Sequence, residues 1–153
     1  MAHPRMYEDS NPVLAKLRAI CFGLPEVFEK EAWGECTFRV TGGSMFAMTD
    51  NNHHNSGHVA VWVKAPAMVQ EILVNSDPKR FFVPPYMGKS GWVGVRIDRS
   101  VKWDQLAAIL KDGHQLSAPK KPKQSRASIG PTPKRTSTQS RRKKTPGRVR
   151  YET

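Results

Sequence analysis

The first clear pattern in the chain is an apolar stripe with three- and four-residue spacing, which is typical of a helix with one buried face. Ser10 or Asn11 can cap the start of this helix, and Pro12 suits its first position because no amide hydrogen is needed there. Gly23 and Pro25 end the pattern. The stripe consists of Val13, Leu14, Leu17, Ile20, Cys21 and Leu24.

A series of short segments then predicts an antiparallel meander. Residues 37–40 and 44–48 alternate between polar and apolar side chains, and Thr41-Gly42-Gly43 between them is typical of a hairpin turn. Residues 50–57 are polar and predict a loop. Residues 58–64 follow as a strong strand candidate with three valines on one face.

The second half of the domain predicts two further helices around a proline-containing loop. One helix begins near Pro66, and Ser100 can cap the other. The prolines in segment 81–86 exclude a central strand, so we expect a packed loop that leads into a strand at 91–97. The expected buried positions are Met68, Val69, Ile72 and Leu73 in the first helix and Trp103, Leu106, Ala107 and Leu110 in the second.

The net charge of +12 is confined to one end of the chain. Residues 119–153 hold twelve Lys or Arg and one acid, which gives +11, whereas residues 1–118 hold thirteen and twelve, which gives +1. Few large apolar side chains lie beyond Pro119, so this segment cannot bury enough surface to offset its ordering entropy. We predict a flexible arm at 1–9, a folded domain at 10–118 and a disordered basic tail at 119–153.

The tail predicts binding to a polyanion, most plausibly nucleic acid, because closely spaced cations release condensed counterions from phosphates. An anionic membrane, an acidic protein or a purely solubilising role would also suit its charge. The tail lacks the Trp, Phe and Leu side chains of an interfacial helix, which argues against the membrane. Its candidate phosphate contacts are Lys120, Lys121, Lys123, Arg126, Lys134, Arg135, Arg141, Arg142, Lys143, Lys144, Arg148 and Arg150.

Several segments of the domain, in this order, resemble the MmcQ/YjbR family over about residues 11–121. They are Trp33-Gly34, Thr37 to Val40, Phe81 to Tyr86, Gly88 to Arg96, Val101 to Asp104 and Ala118 to Lys120. The resemblance implies an α+β domain with a small antiparallel sheet packed against helices, of the frataxin-like (CyaY-like) or double-wing kind. It also implies a bacterial origin and DNA binding, and the tail lies outside it.

The resemblance places basic and aromatic side chains beside the glycines of segment 86–96. We expect this segment and the hairpin 37–48 to dock on DNA through phosphates, which set position without reading sequence. Ordinary surface charge is the competing interpretation. The candidates are Arg39, Lys79, Arg80, Lys89, Trp92 and Arg96.

Phosphate-loop and metal chemistry find little support in the sequence. Gly88-Lys89-Ser90 resembles the end of a P-loop, but that motif needs a glycine where the chain has Val83, and two prolines follow. His53, His54 and His58 lie in a polar loop that predicts solvent exposure more than a metal site. We expect no metal and no cofactor, and the first helix lacks the acidic ridge that iron binding by a frataxin-like fold needs.

Catalytic chemistry is similarly unsupported. Cys21 lies on the apolar stripe and is expected in the core, and Cys36 flanks a strand with no histidine near it in sequence. We therefore expect a protein that is not an enzyme. Two cysteines and a polar start suit the cytoplasm. The resemblance implies a bacterial cytoplasm, and DNA binding implies association with the nucleoid.

Alternatives to DNA binding remain. The tail would equally serve an RNA- or ribosome-associated protein, and an interaction scaffold is a weaker possibility. A small-ligand-binding or enzymatic domain with an incidental tail predicts a deep pocket lined by Trp33, Tyr86 and Trp92, and no positive face on residues 1–118.

Overall fold

Six antiparallel strands form one sheet, and three helices accompany it. These elements lie in residues 4–53 and 57–119, which are the residues that the computed structural model describes. The helices are α1 (Pro12–Phe22), α2 (Val69–Ser76) and α3 (Trp103–Ser117). The strands are β1 (Val27–Ala32), β2 (Glu35–Val40), β3 (Met45–Asn51), β4 (Val59–Val63), β5 (Phe81–Phe82) and β6 (Val93–Arg96).

The sheet order is β1-β2-β3-β4-β6-β5, so the first four strands form a meander and β5 lies at the far edge. Every neighbouring pair is antiparallel. This arrangement confirms the α+β class with a small antiparallel sheet backed by helices. None of the described helices is long and apolar enough to cross a membrane.

The beginning of α1 and the first predicted hairpin form as their sequences indicate. The Asn11 side chain accepts a hydrogen bond from the Val13 amide at 2.9 Å, which confirms the predicted cap. Gly42, with φ of 77°, turns the chain between β2 and β3, and the Gly43 amide donates to the Val40 carbonyl at 2.9 Å.

Two strands were not predicted. Phe81 and Phe82 form the short edge strand β5 within the segment that was expected to be a packed loop, and β1 is the other. β1 pairs along its whole length with β2, although its sequence alternates poorly and contains two glutamates and a lysine. It is an edge strand with one free side, so charged residues are tolerated there and even hinder unwanted pairing. Trp33 and Gly34, both with positive φ, join it to β2.

Three predicted details are wrong. β3 extends to Asn51, so Asp50 is a buried strand residue and not part of a loop. Met68 and Ile72 are 71% and 59% exposed, because α2 packs at the β5–β6 end of the sheet and buries none of its residues fully. Lys102, not Ser100, precedes α3, and its side chain makes no cap hydrogen bond.

The main core fills the space between one face of the sheet and helices α1 and α3. Leu17 from α1, Phe38 and Phe46 from the sheet, and Leu110 from α3 are fully buried there. Gly113 lets α3 approach the sheet closely, since a Cβ at this position would lie 2.6 Å from the Lys64 carbonyl oxygen.

The ends of the chain fall partly outside these elements. Residues 120–153, which carry the predicted disordered tail, lie outside the described residues. At the other end, Tyr7 is buried, its hydroxyl donates to Glu31 at 3.2 Å, and the Met6 amide donates to the Gly34 carbonyl at 2.8 Å.

Candidate functional site

The face of the sheet turned away from the main core carries a second apolar cluster, formed by Met48, Trp62 and Trp92. Residues paired across antiparallel strands share a face, and the pairs run from Met48 through Trp62 and Gly94 to Phe82. A Cβ at Gly94 would lie 2.4 Å from the Phe82 ring, so glycine allows that ring to lie across β6. This cluster forms the base of the candidate site.

An aromatic cleft of about 320 Å³ opens above this cluster. Trp62 is buried at its floor, whereas Trp33 and Tyr86 are 47% and 74% exposed at its mouth. Large exposed aromatic side chains at the mouth of an apolar cleft are suited to binding a partner. The lining residues are Trp33, Met45, Met48, His53, Trp62, Tyr86 and Met87.

Both rings at the mouth stand on left-handed backbone. Trp33 has φ of 56° and Gly34 has φ of 79°, the signs that a two-residue hairpin turn between β1 and β2 requires. Tyr86 has φ of 67° directly after two prolines. Such backbone costs a residue with a Cβ roughly 1–3 kcal/mol and clusters at functional sites. Two aromatic side chains at strained positions of one cleft therefore favour a role in binding.

A buried carboxylate, Asp50, holds Trp62 at the floor of the cleft. Asp50 is fully buried and accepts hydrogen bonds from the Trp62 indole N–H at 3.0 Å and from the His53 amide at 2.8 Å. These bonds hold the Trp62 ring in place and anchor the start of the loop that carries His53. The His53 ring meets Trp62 edge to face, with 5.8 Å between ring centroids.

A second buried carboxylate lies beside the first. Glu35 is fully buried and accepts hydrogen bonds from the Thr49 hydroxyl at 2.9 Å, the Asn51 amide at 3.0 Å and the Asn51 side chain at 2.8 Å. Its Oε2 lies 3.6 Å from Nδ1 of His53. Burial raises the pKa of Glu35, and the bonds from Asn51 and Thr49 only partly oppose this shift. The cleft thus has an apolar mouth and a hydrogen-bonded acidic wall behind it.

Comparison with known proteins identifies the family of this domain. A family model described as YjbR matches residues 22–116, a range that contains every residue lining the cleft. The chain belongs to the YjbR family. This confirms the resemblance seen in the sequence. No curated protein matches the chain.

A solved structure supports the fold of this YjbR domain. The crystal structure of Deinococcus radiodurans protein DR2400, with a domain described as DUF419, is 24% identical. The match covers 67% of this chain and 76% of that one, with a TM-score of 0.57. At this level of identity the likeness shows a shared fold.

The basic candidates of the YjbR domain are dispersed. Arg39 pairs across β2 and β3 with Met45, so it lies on the cleft face, and its Nε donates to the Thr37 hydroxyl at 3.1 Å. Lys89 is exposed beside Tyr86 in an adjoining shallow groove. Lys79 is also exposed, and its carbonyl accepts from Arg99 at 3.2 Å.

The remaining domain candidates are engaged within the fold. Arg80 lies 3.4 Å from Asp77 and donates to the Ser100 carbonyl at 2.7 Å. Arg96 lies 3.7 Å from Asp98. Trp92 is buried and packs behind the cleft, so it supports the floor. The twelve tail candidates lie outside the described residues.

His53 and His58 do not form a cluster that could bind a metal ion. His53 lines the cleft, whereas His58 stacks on Phe82 with ring centroids 3.8 Å apart, and His54 lies outside the described residues. Within residues 4–53 and 57–119, no three His, Cys, Asp or Glu side chains are placed to hold a metal ion. Both cysteines are buried. Burial raises the pKa of Cys21 to about 12 and also raises that of Cys36, which disfavours the thiolate form of both at neutral pH.

Sequence reasoning had not identified the acidic wall or the methionines of the cleft. Glu35 follows directly after the Trp33-Gly34 turn, and a charged residue between a turn and a buried strand was the available signal. Trp33 and Tyr86 do line a cleft, as the small-ligand alternative predicts, and Trp92 lies behind it.

Proposed function

We propose that this YjbR protein is a non-enzymatic DNA-binding protein, in which the basic tail supplies most of the affinity and the folded domain docks alongside. The observation that carries the proposal is the segregation of charge, +11 on residues 119–153 against +1 on residues 1–118. Cations at that density bind phosphates through counterion release, and engagement of six to ten phosphates lowers affinity by roughly 10³–10⁵ between 50 and 200 mM salt.

The ion pairs of the domain support this division of labour. Arg18 is held by Asp9 and Glu29 at 2.8 Å each, and Arg80 and Arg96 each have an aspartate partner. A cation already paired with a carboxylate gains less from a phosphate, because the existing bond must be broken first. The cleft face of the domain accordingly sets how the protein is positioned on the DNA, and the tail supplies the positive charge that binds the phosphates. We place this activity in the bacterial cytoplasm, at the nucleoid, with no cofactor.

A second candidate is a small-ligand-binding domain with an incidental tail. The cleft favours it, since a 320 Å³ volume with an aromatic mouth lies within the range of roughly 300–1,000 Å³ for small-molecule sites. RNA is the other polyanion that the tail would serve.

The test compares the full chain with residues 1–118 in a fluorescence anisotropy assay. Labelled duplex DNA and duplex RNA of equal length are titrated near physiological salt. We expect the full chain to bind DNA in preference to RNA and the truncated domain to lose most of the affinity. Tighter RNA binding would favour the RNA alternative. Absence of binding to either by the full chain would remove the proposal.

A further inference from the structure

We infer that the aromatic cleft receives one unstacked nucleobase of a single-stranded segment in the bound nucleic acid. The inference rests on the proposed function, because the basic tail is what brings the strand to the domain. It adds a base-binding site to a protein otherwise argued to contact phosphates.

The mouth of the cleft is built for a flat ring. Trp33 and Tyr86 line the mouth from two different loops and are 47% and 74% exposed, and the buried Trp62 lies beneath them. Bases stack on aromatic side chains without regard to sequence, because every base has a π face. Met45, Met48 and Met87 complete the wall with side chains that adapt to rings of different size.

The cleft suits a base outside a duplex. A paired base is stacked and cannot enter a closed pocket unless it is flipped out, which costs a few kcal/mol. A volume of about 320 Å³ is sufficient for one ring system and far too small for a base-paired stack. The inferred occupant is therefore a base from a single strand or a locally opened duplex.

The position where the described chain ends argues for a nucleic acid over other flat ligands. The Ser117 hydroxyl donates at 3.2 Å to the carbonyl of Met45, a residue of the cleft wall, and the Ser44 amide donates to the Ser117 carbonyl at 3.0 Å. Pro119 packs at the neighbouring turn, 3.7 Å from where a Cβ on Gly42 would be. The last described residues of the domain thus lie beside the cleft wall, and the next residues in the sequence are the cations Lys120 and Lys121.

A second, more open groove of about 530 Å³ continues from the cleft and shares Met45 and Met87 with it. Ser44, Lys64 and Ser90 supply its hydroxyl and ammonium groups, and Lys64 Nζ donates to the Ser44 hydroxyl at 2.8 Å. Hydroxyls and an ammonium are groups that contact phosphates and sugars. The groove provides a path for the backbone of the strand whose base fills the cleft.

The test uses the full chain and two ligands of equal length and charge, a labelled oligothymidylate and an abasic oligonucleotide. The tail binds the phosphates of both, whereas the cleft requires a base. One stacked base is worth roughly 5- to 140-fold in affinity, so we expect the wild type to prefer the oligothymidylate by a factor in that range.

Two variants remove the rings and keep the left-handed backbone, Trp33→Gly and Tyr86→Gly. Each is expected to move the affinity ratio of the two oligonucleotides toward one, while binding to the abasic oligonucleotide stays unchanged. Phe28→Ala is the matched control, since Phe28 pairs with Arg39 on the same face, is 42% exposed and does not line the cleft. Its ratio should equal that of the wild type.

The outcomes separate this inference from the proposed function. A wild-type ratio near one, with both oligonucleotides bound, overturns the base site and leaves tail-driven binding intact. A wild-type preference that survives both ring-removing variants places base recognition elsewhere and also overturns it. Binding of neither oligonucleotide contradicts the proposed function itself.

Discussion

Replacement of Trp33 by glycine or alanine isolates the strain that the turn imposes. Trp33 occupies the first position of the two-residue turn between β1 and β2, with φ of 56°. Both substitutions remove the indole ring and its contacts. They differ in the Cβ, which alanine retains and glycine lacks.

The left-handed conformation costs a residue with a Cβ roughly 1–2 kcal/mol, a cost that glycine avoids. Glycine also loses more backbone entropy on folding, and in a strand it is therefore less stable than alanine by roughly 0.5–1 kcal/mol. At residue 33 the first effect is the larger one. We expect Trp33→Gly to be more stable than Trp33→Ala by about 1 kcal/mol.

Urea unfolding followed by circular dichroism measures this difference. Lys30, exposed in the middle of β1, supplies the control: Lys30→Gly should be less stable than Lys30→Ala there, since its backbone is extended. Opposite signs at the two positions support the account. If alanine were the more stable residue at both, strain at Trp33 could not be an argument for binding.

Three further predictions concern stability and reactivity. Gly113→Ala should destabilise the domain by roughly 1–3 kcal/mol in urea unfolding, despite the helix preference for alanine, because its Cβ would meet the Lys64 carbonyl oxygen. The control Ala108→Gly, at an exposed position of the same helix, should cost about 1 kcal/mol. A Gly113→Ala variant more stable than the wild type would contradict the close packing of α3 on the sheet. The raised pKa of Glu35 means that the folded state holds the proton more tightly than the unfolded state does. The wild type should therefore lose stability relative to Glu35→Gln as pH rises from about 4 to 7. A difference in unfolding free energy between the two proteins that stays constant over this range would contradict the prediction. Cys21 and Cys36 should resist a thiol reagent at neutral pH until the protein unfolds, and rapid labelling of the folded protein would contradict their burial.

Local patterns were sufficient for the elements that bury one full face. α1, the β2–β3 hairpin and β4 follow from helical spacing, turn glycines and runs of β-branched residues. β1 was not predicted because this edge strand is stabilised by its pairing with β2, and its charged sequence does not indicate that pairing. The burial of α2 was overestimated because its apolar spacing does not reveal how much of the sheet lies beneath it.

The cleft depends on long-range geometry. The burial of Asp50 requires the Trp62 indole from the neighbouring strand, twelve positions along the chain. Trp33 and Tyr86 come together only because their two turns lie over the same face of the sheet. Their neighbouring glycines and prolines indicated turns, but the distance between those turns is a property of the sheet order, which side-chain patterns do not contain.

The most direct test of the central claim, that the tail carries the affinity for nucleic acid, is the salt dependence of binding. The full chain is compared with a variant carrying Arg141→Gln, Arg142→Gln, Lys143→Gln and Lys144→Gln. Four exposed domain lysines changed to glutamine at residues 16, 30, 102 and 111 provide a control of equal charge.

The logarithm of the binding constant falls with the logarithm of salt concentration by about 0.9 for each phosphate neutralised on duplex DNA. We predict that the tail variant has a slope shallower by roughly 2–4, whereas the domain control keeps the wild-type slope within about 1. Equal slopes for the tail variant and the wild type, or a larger loss in the domain control, would contradict the account.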